Sequence, residues 1–340
     1  MSVALSIDLS KKKTILCFGE ALIDMLAQPP VKKGMPRAFL QCAGGAPANV
    51  AVAVARLGGA VQFVGMLGRD MFGDFLFDSF AEAGVVTDGI VRTSAAKTAL
   101  AFVALDAHGE RSFSFYRPPA ADLLFRAEHF QDASFSDALI FHACSNSMTD
   151  ADIAEVTFEG MRRAQAAGAI VSFDLNFRPM LWPNGENPAS RLWKGLSLAD
   201  VVKLSSEELD YLANTLAADA NANAVIQQLW QGRAQLLLVT DAAGPVHWYT
   251  RTARGQVPTF RVQVQDSNAA GDAFVGGMLY TFAQQLDDAA ALIDFCHDPE
   301  SIASMLRFAA AVGALAVTRH GAFTAMPMLS EVLSLIQEQS

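Results

Sequence analysis

Two kinds of hydrophobic pattern alternate along the chain. Short continuous apolar runs, typical of buried strands, occupy residues 15–18, 62–67, 138–142, 169–174, 201–204 and 236–240. Longer segments with apolar residues at helical spacing occupy residues 48–57, 72–83, 149–167, 224–230, 273–285 and 302–317. Buried strands that alternate with helices are typical of a mainly parallel sheet with helices on both faces. The pattern therefore predicts an α/β fold, which we expect to form a single domain.

A different pattern interrupts this alternation. Residues 98–106 and 111–117 are two extended runs, and the second alternates polar and apolar positions. The segment between them, Asp106-Ala107-His108-Gly109-Glu110, is typical of a hairpin turn. Alternation fits a sheet with one covered face. We therefore expect a small antiparallel sheet, a candidate lid, beside the parallel one.

The segment 266–274, which reads Asp-Ser-Asn-Ala-Ala-Gly-Asp-Ala-Phe, is the strongest candidate site. It joins an alternating run, 259–265, for which we predict a strand, to the predicted helix 273–285. Its small residues let backbone N–H groups approach a ligand, and a helix N-terminus attracts phosphate. Asp272 lies where a carboxylate would take a proton from a hydroxyl beside that phosphate. The alternative is that Asp272 is an ordinary N-cap of the helix.

Composition narrows the class of protein. The chain has 340 residues, of which 52% are hydrophobic, and its formal net charge is −10. With no basic stripe, this charge argues against a nucleic-acid partner. The four cysteines form no CxxC pair, which argues against a zinc site or a disulfide framework and fits a reducing cytoplasm. The apolar run 308–317 is too short for a membrane span of about 20 residues. We therefore expect a cytoplasmic protein with no membrane partner.

Two polar motifs lie near the first predicted strand and helix. Gly44 and Gly45 precede the helix that contains Asn49, where backbone amides and a side-chain amide would bind a polyol. The alternative is a tight turn that only starts the helix. Asp24 lies just past the first strand, and a carboxylate that accepts from neighbouring hydroxyls is a common way to hold a sugar. The alternative for Asp24 is a solvated loop position.

Polar groups also follow two later strands. Asp174, Asn176 and Arg178 leave a very apolar strand on alternate positions, where buried polar groups need partners or a ligand. A structural salt bridge between Asp174 and Arg178 is the alternative explanation. Ser205 and Glu208 follow the next strand, and a capping box would account for both. The sequence contains neither a GxxxxGK[ST] loop nor the HRD and DFG motifs of protein kinases.

These motifs together resemble a known family. The runs at 44–58 (GGAPANVAVAVARLG) and 266–274 (DSNAAGDAF) resemble the paired signatures of the ribokinase-like (PfkB) carbohydrate kinases. The runs at 174–182, 203–209 and 321–327 agree with the same family, and within it the fructokinases are most similar. The resemblance implies a three-layer α/β sandwich with a small β-sheet lid, built from about residues 21–42 and 97–120.

The resemblance also implies the role of each site residue. Asp272 would be the base that deprotonates a primary hydroxyl of the sugar for attack on the γ-phosphate of ATP. The anion-hole amides would belong to Ala269, Ala270 and Gly271. The sugar would be bound by Asp24, Gly44, Gly45, Asn49, Arg117 and Arg178. The ATP side would include Ser205, Thr240, Gly244, Gly271, Ala310, Gly313 and Gly321. Glu208 would help to order Mg²⁺, and the family resemblance makes a monovalent cation such as K⁺ a further candidate cofactor.

Four positions depart from the family pattern. Ala269 replaces the first glycine of Gly-Ala-Gly-Asp, which is tolerable if its φ is negative. Ser205 replaces the Asn of the Asn-x-x-Glu motif, and Ala310 lies where Asn is frequent near the adenine. The run 240–245 departs from Thr-x-Gly-x-x-Gly, so we expect a differently shaped loop on the ATP side.

The resemblance favours D-fructose, phosphorylated at its primary 6-hydroxyl, as the substrate. The positions of Arg117 and Arg178 also occur in 2-keto-3-deoxygluconate kinases, so that acid is the alternative substrate. A sugar-binding protein on a kinase fold without catalysis is an alternative of another class. We also expect a homodimer through the lid, where Phe102, Phe113 and Phe115 would form an apolar face.

Overall fold

The computed structural model describes residues 13–28, 36–105, 111–217 and 219–339. Its strands are β1 Thr14–Phe18, β2 Leu22–Ala27, β3 Phe39–Gly44, β4 Val61–Gly68, β5 Ile90–Thr93, β6 Leu100–Leu105, β7 Arg111–Tyr116, β8 Ala138–Cys144, β9 Ile170–Asp174, β10 Val201–Ser205, β11 Leu236–Thr240, β12 Val246–Thr250 and β13 Arg254–Val257. Its helices are α1 Ala46–Arg56, α2 Met71–Ala83, α3 Asp132–Ser136, α4 Ala151–Ala166, α5 Ala189–Leu198, α6 Ser206–Leu216, α7 Ala222–Trp230, α8 Ala270–Gln285, α9 Ala291–Cys296, α10 Pro299–Ala316 and α11 Leu329–Glu338. Each strand and helix predicted from the hydrophobic pattern is confirmed.

The larger sheet has the strand order β13-β12-β11-β10-β9-β8-β1-β4-β5 in the described residues. The pairs from β5 to β11 are parallel, whereas β12 and β13 form an antiparallel edge. Because parallel strands point the same way, the residues that follow β1, β8, β9 and β10 meet at one edge of the sheet. The predicted α/β fold with a mainly parallel sheet is confirmed.

Helices cover both faces of this sheet and create two apolar layers. In β1, Ile15 and Cys17 pack into one layer, whereas Leu16 and Phe18 pack into the other. Successive side chains of a strand point to opposite faces, so continuous burial of β1 requires both layers. Helices α1, α8 and α10 pack on the first face, where α8 is buried over most of its length. In the described parts of the chain, no helix is long and apolar enough to cross a membrane.

A second sheet has the order β3-β2-β6-β7. Its β6 and β7 strands are antiparallel, which confirms the predicted hairpin strands, while the turn 106–110 lies outside the described residues. Asp24 lies on β2 and is buried, so the alternative of a solvated loop position is wrong. Strands β2 and β3 have no clear alternation in the sequence, and the resemblance alone indicated them.

The expected apolar face of the lid is partly wrong. Phe102 lies opposite Ser114, whereas Phe115 lies opposite Ala101, and directly paired residues share one face of a sheet. Phe102 contacts the rings of Phe39 and Tyr116 on the outer face. Phe115 instead lines the cleft on the inner face, and the side chain of Phe113 lies outside the described part. Alternation therefore divides the aromatic residues between two faces.

The predicted strand at 259–265 is wrong, because this segment has no regular structure. Its alternating residues do not share a burial state, since Phe260 is buried and Val264 is largely exposed. Beyond the sheet edge at β13, backbone groups find other partners: Gln265 donates to the carbonyl of Val317 at the end of α10. Arg261 forms hydrogen bonds with Gln339 after α11. The segment is therefore held by helix ends rather than by a strand.

Candidate active site

A cleft of about 600 Å³ lies at the carboxyl edge of the parallel strands. The N-terminus of α8 and the inner face of the small sheet form its other walls. The predicted site residues that line this cleft are Asp24, Gly45, Asn49, Arg117, Arg178, Ser205, Glu208, Ala269, Ala270, Gly271 and Asp272. Residues that lie far apart in the sequence are brought together because they follow parallel strands or begin helices at this edge.

Asp272 is the third residue of α8 and is 8% exposed. Its Oδ2 accepts a hydrogen bond from Asn49 Nδ2 at 2.7 Å, and its Oδ1 accepts one from Asn176 Nδ2 at 3.1 Å. The N-cap of the helix is Ala269, so the alternative that Asp272 is an ordinary cap is wrong. Burial raises the pKa of Asp272 to about 7, although the hydrogen bond from Asn49 acts in the opposite direction. The carboxyl is therefore poised to exchange a proton near neutral pH.

Ala269 turns the chain into α8 with φ 58° and ψ 12°, in the left-handed region. The condition of a negative φ, under which alanine would be tolerable there, is therefore not met. An L-residue other than glycine in this region costs about 1–2 kcal/mol. The turn starts the helix at Ala270, and the first N–H groups of a helix have no acceptor within the helix. The strained turn therefore presents backbone donors to the cleft.

The two glycines beside Asp24 are required by close packing. A Cβ on Gly44 would lie 2.5 Å from Asp24 Oδ2, so a side chain there would displace the carboxylate. Gly45 has φ 109°, and a Cβ on it would lie 2.5 Å from the carbonyl oxygen of Glu20. Gly45 is also the N-cap of α1, so the helix start and the approach to the cleft use the same glycine. Asn268 Nδ2 donates to Asp24 Oδ2 at 3.4 Å and links this wall to the turn before α8.

Among the polar residues of the cleft wall, sequence reasoning assigned no role to Glu20 and Asn146, and it identified Asn176 only as a polar group that needs a partner or a ligand. Glu20 is buried, which raises the pKa of its carboxyl, and its Oε1 accepts from Asn146 Nδ2 at 3.0 Å. Asn176 adopts φ 40° and aims its amide at Asp272. Each residue follows the end of a parallel strand, so the rule that placed Asp24 was a signal for all three.

The two predicted arginines occupy different environments. Arg117 is 2% exposed, and its guanidinium contacts Asp122 Oδ2 through Nη2 at 2.6 Å and Nε at 2.8 Å. Its Nη1 donates to Thr149 Oγ1 at 3.2 Å. Arg178 is exposed at the rim of the cleft. Arg117 is therefore anchored by a buried ion pair, whereas Arg178 faces incoming ligands.

Asp174 forms its salt bridge with Lys203 rather than with Arg178, so that structural alternative is wrong. Lys203 Nζ lies 3.1 Å from Asp174 Oδ1 and 3.2 Å from Oδ2. The two residues are directly paired in the register of β9 and β10. Burial raises the pKa of Asp174, and the Lys203 ammonium opposes that rise. Lys203 also lines the cleft, and sequence reasoning assigned no role to it.

Ser205 and Glu208 form the capping box that the sequence allowed. Ser205 Oγ accepts from Glu208 N at 3.1 Å, and Glu208 Oε2 accepts from Ser205 N at 2.7 Å. Glu208 Oε1 also accepts from Phe177 N at 2.7 Å. The carboxylate is therefore fixed in the cleft wall by two backbone amides. In the described residues, no group of three or more His, Cys, Asp or Glu side chains is placed to hold a metal ion.

The remaining residues predicted for the nucleotide side do not line the cleft, namely Thr240, Gly244, Ala310, Gly313 and Gly321. Two of them contact residues at or next to its wall. A Cβ on Gly313 would lie 3.2 Å from the carbonyl oxygen of Ala270, and Gly321 N donates to Asp266 Oδ2 at 3.2 Å. Thr240 is paired with Ser205 in the register of β10 and β11. Thr240, Gly313 and Gly321 therefore lie beside the cleft rather than in its lining.

The large, mostly parallel sheet with a separate small sheet is a ribokinase-like fold. A fructokinase from Vibrio cholerae O395, solved with fructose, ADP and a calcium ion, has a TM-score of 0.84 and 31% identity. That match covers 96% of this chain and 100% of the other. A fructokinase from Xylella fastidiosa, solved with bound ATP, is 94% identical with a TM-score of 0.93, and the match covers 96% of this chain and 99% of that one.

The sequence comparisons define the family. Residues 12–329 match the pfkB family carbohydrate kinases. Fructokinase-1 of Zea mays is 39% identical over 328 residues, which cover 96% of this chain and 98% of the relative. The chain therefore belongs to the pfkB family and is a carbohydrate kinase, which confirms the resemblance drawn from the motifs.

Proposed function

We propose that this chain is an ATP-dependent fructokinase, which transfers the γ-phosphate of ATP to the 6-hydroxyl of D-fructose. The observation that carries the proposal is the buried Asp272 carboxyl at the N-terminus of α8, inside the cleft. Its raised pKa, about 7, suits a base that takes a hydroxyl proton near neutral pH. The strong similarity to fructokinases supports fructose as the acceptor and ATP as the donor.

Each end of the cleft would bind one substrate. Fructose hydroxyls would contact Asp24 and Asn49, with Gly44 and Gly45 leaving room for the sugar. Arg178 at the rim would complete this end, and Arg117 would shape its floor through the ion pair with Asp122. The 6-hydroxyl would then lie beside Asp272.

Phosphate would be bound at the other end by backbone N–H groups. Ala269, Ala270 and Gly271 are small, so their amides are accessible at the start of α8. Ser205 would contribute from the cleft wall, while the nucleotide would extend towards Thr240, Gly244, Ala310, Gly313 and Gly321. Catalysis would then consist mainly of positioning and of charge stabilisation around the transferring phosphoryl group.

A magnesium ion would be held by Glu208 together with the phosphates of ATP. Mg²⁺ usually keeps several waters and binds one or two carboxylates plus substrate phosphates. Glu208 fits this role as an outer ligand, because its two oxygens already accept backbone N–H groups and remain fixed. Bound Mg²⁺ supplies charge neutralisation of the phosphates. Turnover should be lost with excess EDTA and restored by MgCl₂, and full turnover in EDTA would contradict this assignment.

We further propose that a monovalent cation increases turnover, that the protein is cytoplasmic, and that the chain forms one kinase domain. A double mutant of the Vibrio cholerae fructokinase was solved with potassium, so turnover in KCl should exceed turnover in tetramethylammonium chloride at equal ionic strength.

The four cysteines are free, which fits a reducing cytoplasm. The chain would form one kinase domain, with the small sheet as a lid over the sugar.

The lid would also join two chains into a homodimer. Its outer face carries Phe102 between Phe39 and Tyr116, which are 39% and 67% exposed. Exposed aromatic clusters of this kind mark protein interfaces. Sedimentation should give a dimer at micromolar concentration, and Tyr116→Lys should shift it towards the 36.3 kDa monomer. A monomeric wild-type protein would contradict the proposal.

The test of substrate is ADP release with Mg-ATP and a panel of fructose, 2-keto-3-deoxygluconate, ribose and glucose. We expect kcat/KM to be highest with fructose, and the product to be consumed by glucose-6-phosphate isomerase. Asp272→Asn serves as the control for contaminating kinases. Preference for the keto acid would contradict fructose and reassign Arg178 to its carboxylate. ADP release that no sugar increases would favour a binding protein without sugar kinase activity.

A further inference from the structure

One cation in the cleft has no part in the function described so far. Lys203, on β10, is 7% exposed and lines the cleft. A Cβ on Gly271 would lie 3.2 Å from Lys203 Nζ, so the ammonium packs directly against the first turn of α8. Helix N-termini carry partial positive charge and repel cations. An ammonium in this place is stabilised most when an anion binds to both the helix N-terminus and the lysine.

The hydrogen bonds of this ammonium are incomplete. A lysine ammonium has three N–H donors, and in the described residues it forms one hydrogen bond, to Asp174 Oδ2 at 3.2 Å. The other oxygen, Asp174 Oδ1, lies 3.1 Å away but is a buried atom without a hydrogen bond of good geometry. Buried polar groups are normally hydrogen-bonded. Lys203 therefore keeps donors available for a ligand in the cleft.

The surroundings keep Lys203 charged without occupying its donors. The pKa of Lys203 is raised because the nearby carboxylates, Asp174 first and then Glu208, outweigh the effect of burial. Glu208 itself is fixed by the backbone amides of Ser205 and Phe177. It therefore acts on Lys203 through its charge, whereas Asp174 holds the ammonium in position.

We propose that Lys203 is a catalytic residue whose ammonium binds the phosphoryl group during transfer, and that Asp174 is its positioning residue. This proposal rests on the proposed ATP-dependent phosphorylation. In that reaction the sugar oxygen forms a bond to the γ-phosphorus while the bond from phosphorus to the β–γ bridging oxygen breaks. The hydroxyl proton goes to Asp272, and Lys203 keeps its proton throughout.

The movement of charge explains why this position is useful. When Asp272 accepts the proton, it becomes neutral, and one negative charge that attracted Lys203 disappears. Negative charge remains on the phosphoryl oxygens, which the amides beside Gly271 face. The ammonium therefore interacts more strongly with the transferring phosphoryl group in the transition state than with bound ATP in the ground state, which is the requirement for catalysis rather than simple binding.

A purely structural ion pair would also place Lys203 next to Asp174, and a single substitution does not separate the two roles. Removing one partner of a buried pair leaves an unpaired charge and destabilises the fold. Turnover of Lys203→Met would then fall for either reason. The double variant Lys203→Met/Asp174→Asn removes both charges and so distinguishes a catalytic role of Lys203 from a structural one.

The experiment is a double-mutant cycle with Lys203→Met, Asp174→Asn and the double variant. We measure kcat and KM for ATP and sugar, with thermal unfolding of each protein. Removing a preorganised group that stabilises transition-state charge costs about 10²–10³ in kcat, so we expect that loss in Lys203→Met. The double variant should regain stability but stay as slow as Lys203→Met. Recovery of turnover in the double variant to near the wild-type level would overturn the proposal.

Ligand binding gives a second readout that is independent of turnover. Mg-ADP with aluminium fluoride mimics the planar phosphoryl group, and its affinity is measured with sugar bound. In the double variant we expect unchanged affinity for Mg-ADP and at least tenfold weaker binding of the aluminium fluoride complex. Equal affinities of wild type and double variant for both ligands would overturn the proposal. A wild-type enzyme that phosphorylates a different sugar would contradict only the proposed substrate, and the cycle would then be measured with that sugar.

Discussion

The two ends of the cleft use different parts of the chain. At the end proposed to bind sugar (the sugar end), the polar groups are side chains: Asp272 is held by Asn49 and Asn176, and Asp24 is flanked by Asn268. At the end proposed to bind phosphate (the phosphate end), the run from Ala269 to Gly271 offers only small side chains and backbone N–H groups. Substitutions at the sugar end should therefore change activity directly, whereas substitutions at the phosphate end should act through backbone conformation.

The turn at the phosphate end has a strained backbone, because Ala269 has φ 58°. Ala242, in the loop after β11 and outside the cleft lining, has φ 42°. Both positions carry glycine in the family pattern. Alanine in the left-handed region costs about 1–2 kcal/mol relative to its favoured conformations. The conformation survives because the surrounding packing determines it.

The largest expected effect is at the sugar end. Asp272→Asn should lower kcat by about 10²–10⁴, the usual contribution of a positioned base. The protein should still fold, because an amide keeps the size of the side chain and one acceptor for Asn49 or Asn176. Steady-state kinetics measures the loss, and circular dichroism checks the fold. A folded variant with kcat within threefold of wild type would remove Asp272 from the mechanism.

Asp24→Asn tests sugar binding by the lid. Losing a hydrogen bond to a charged group costs about 1.5–3 kcal/mol, so we expect the KM for fructose to rise about 10- to 100-fold. The KM for ATP should change little. Gln41→Ala is a matched control, because Gln41 lies on the neighbouring strand β3 and does not line the cleft. Equal effects of the two substitutions would show that Asp24 has no specific contact with the sugar.

The pH dependence follows from the pKa of Asp272, about 7. Asp272 must be unprotonated to accept a proton, so kcat/KM should fall about tenfold for each pH unit below that pKa. The same shift affects stability: the folded state binds this proton more tightly than the unfolded state, so the contribution of Asp272 to stability declines as pH rises towards 7. A kcat/KM that is constant between pH 6 and pH 8 would contradict this assignment.

The smallest expected effect is on protein stability, at the turn into α8. Ala269→Gly should increase the free energy of unfolding by about 1 kcal/mol, because glycine adopts a positive φ without strain. Ala270→Gly is the control, since Ala270 begins α8 and glycine lowers helix stability there by up to about 1 kcal/mol. Chemical denaturation measures both. If both substitutions destabilise equally, the strain at Ala269 is not significant.

Sequence reasoning assigned site roles to 11 of the 23 residues that line the cleft. Asp24, Asn49, Glu208 and Asp272 were found because each lies next to a predictable strand end or helix start. The suggested salt bridge between Asp174 and Arg178 was wrong, because β9 pairs with β10 in a register that puts Lys203 opposite Asp174. Register depends on how two distant strands align, and neither strand carries that information by itself.

Predictions from local periodicity also failed where burial does not follow the alternation of polar and apolar residues. The run 259–265 alternates like a strand, yet it lies beyond β13 and bonds to the ends of α10 and α11. The aromatic residues of β6 and β7 were assigned to one face, but pairing places Phe102 and Phe115 on opposite faces. In both cases the missing information was the neighbouring element.

The sequence by itself determined the six core strands and six helices that the hydrophobic pattern predicts, the small-residue segment before α8 and the family, because these depend on local spacing. Only the tertiary structure decided the pKa of Asp272, the pairing of Lys203 with Asp174 and the left-handed turn at Ala269. Those properties depend on burial and on contacts between residues far apart in the chain. Their physical origin is the low dielectric and close packing of the cleft wall, which exist once the sheets and helices have assembled.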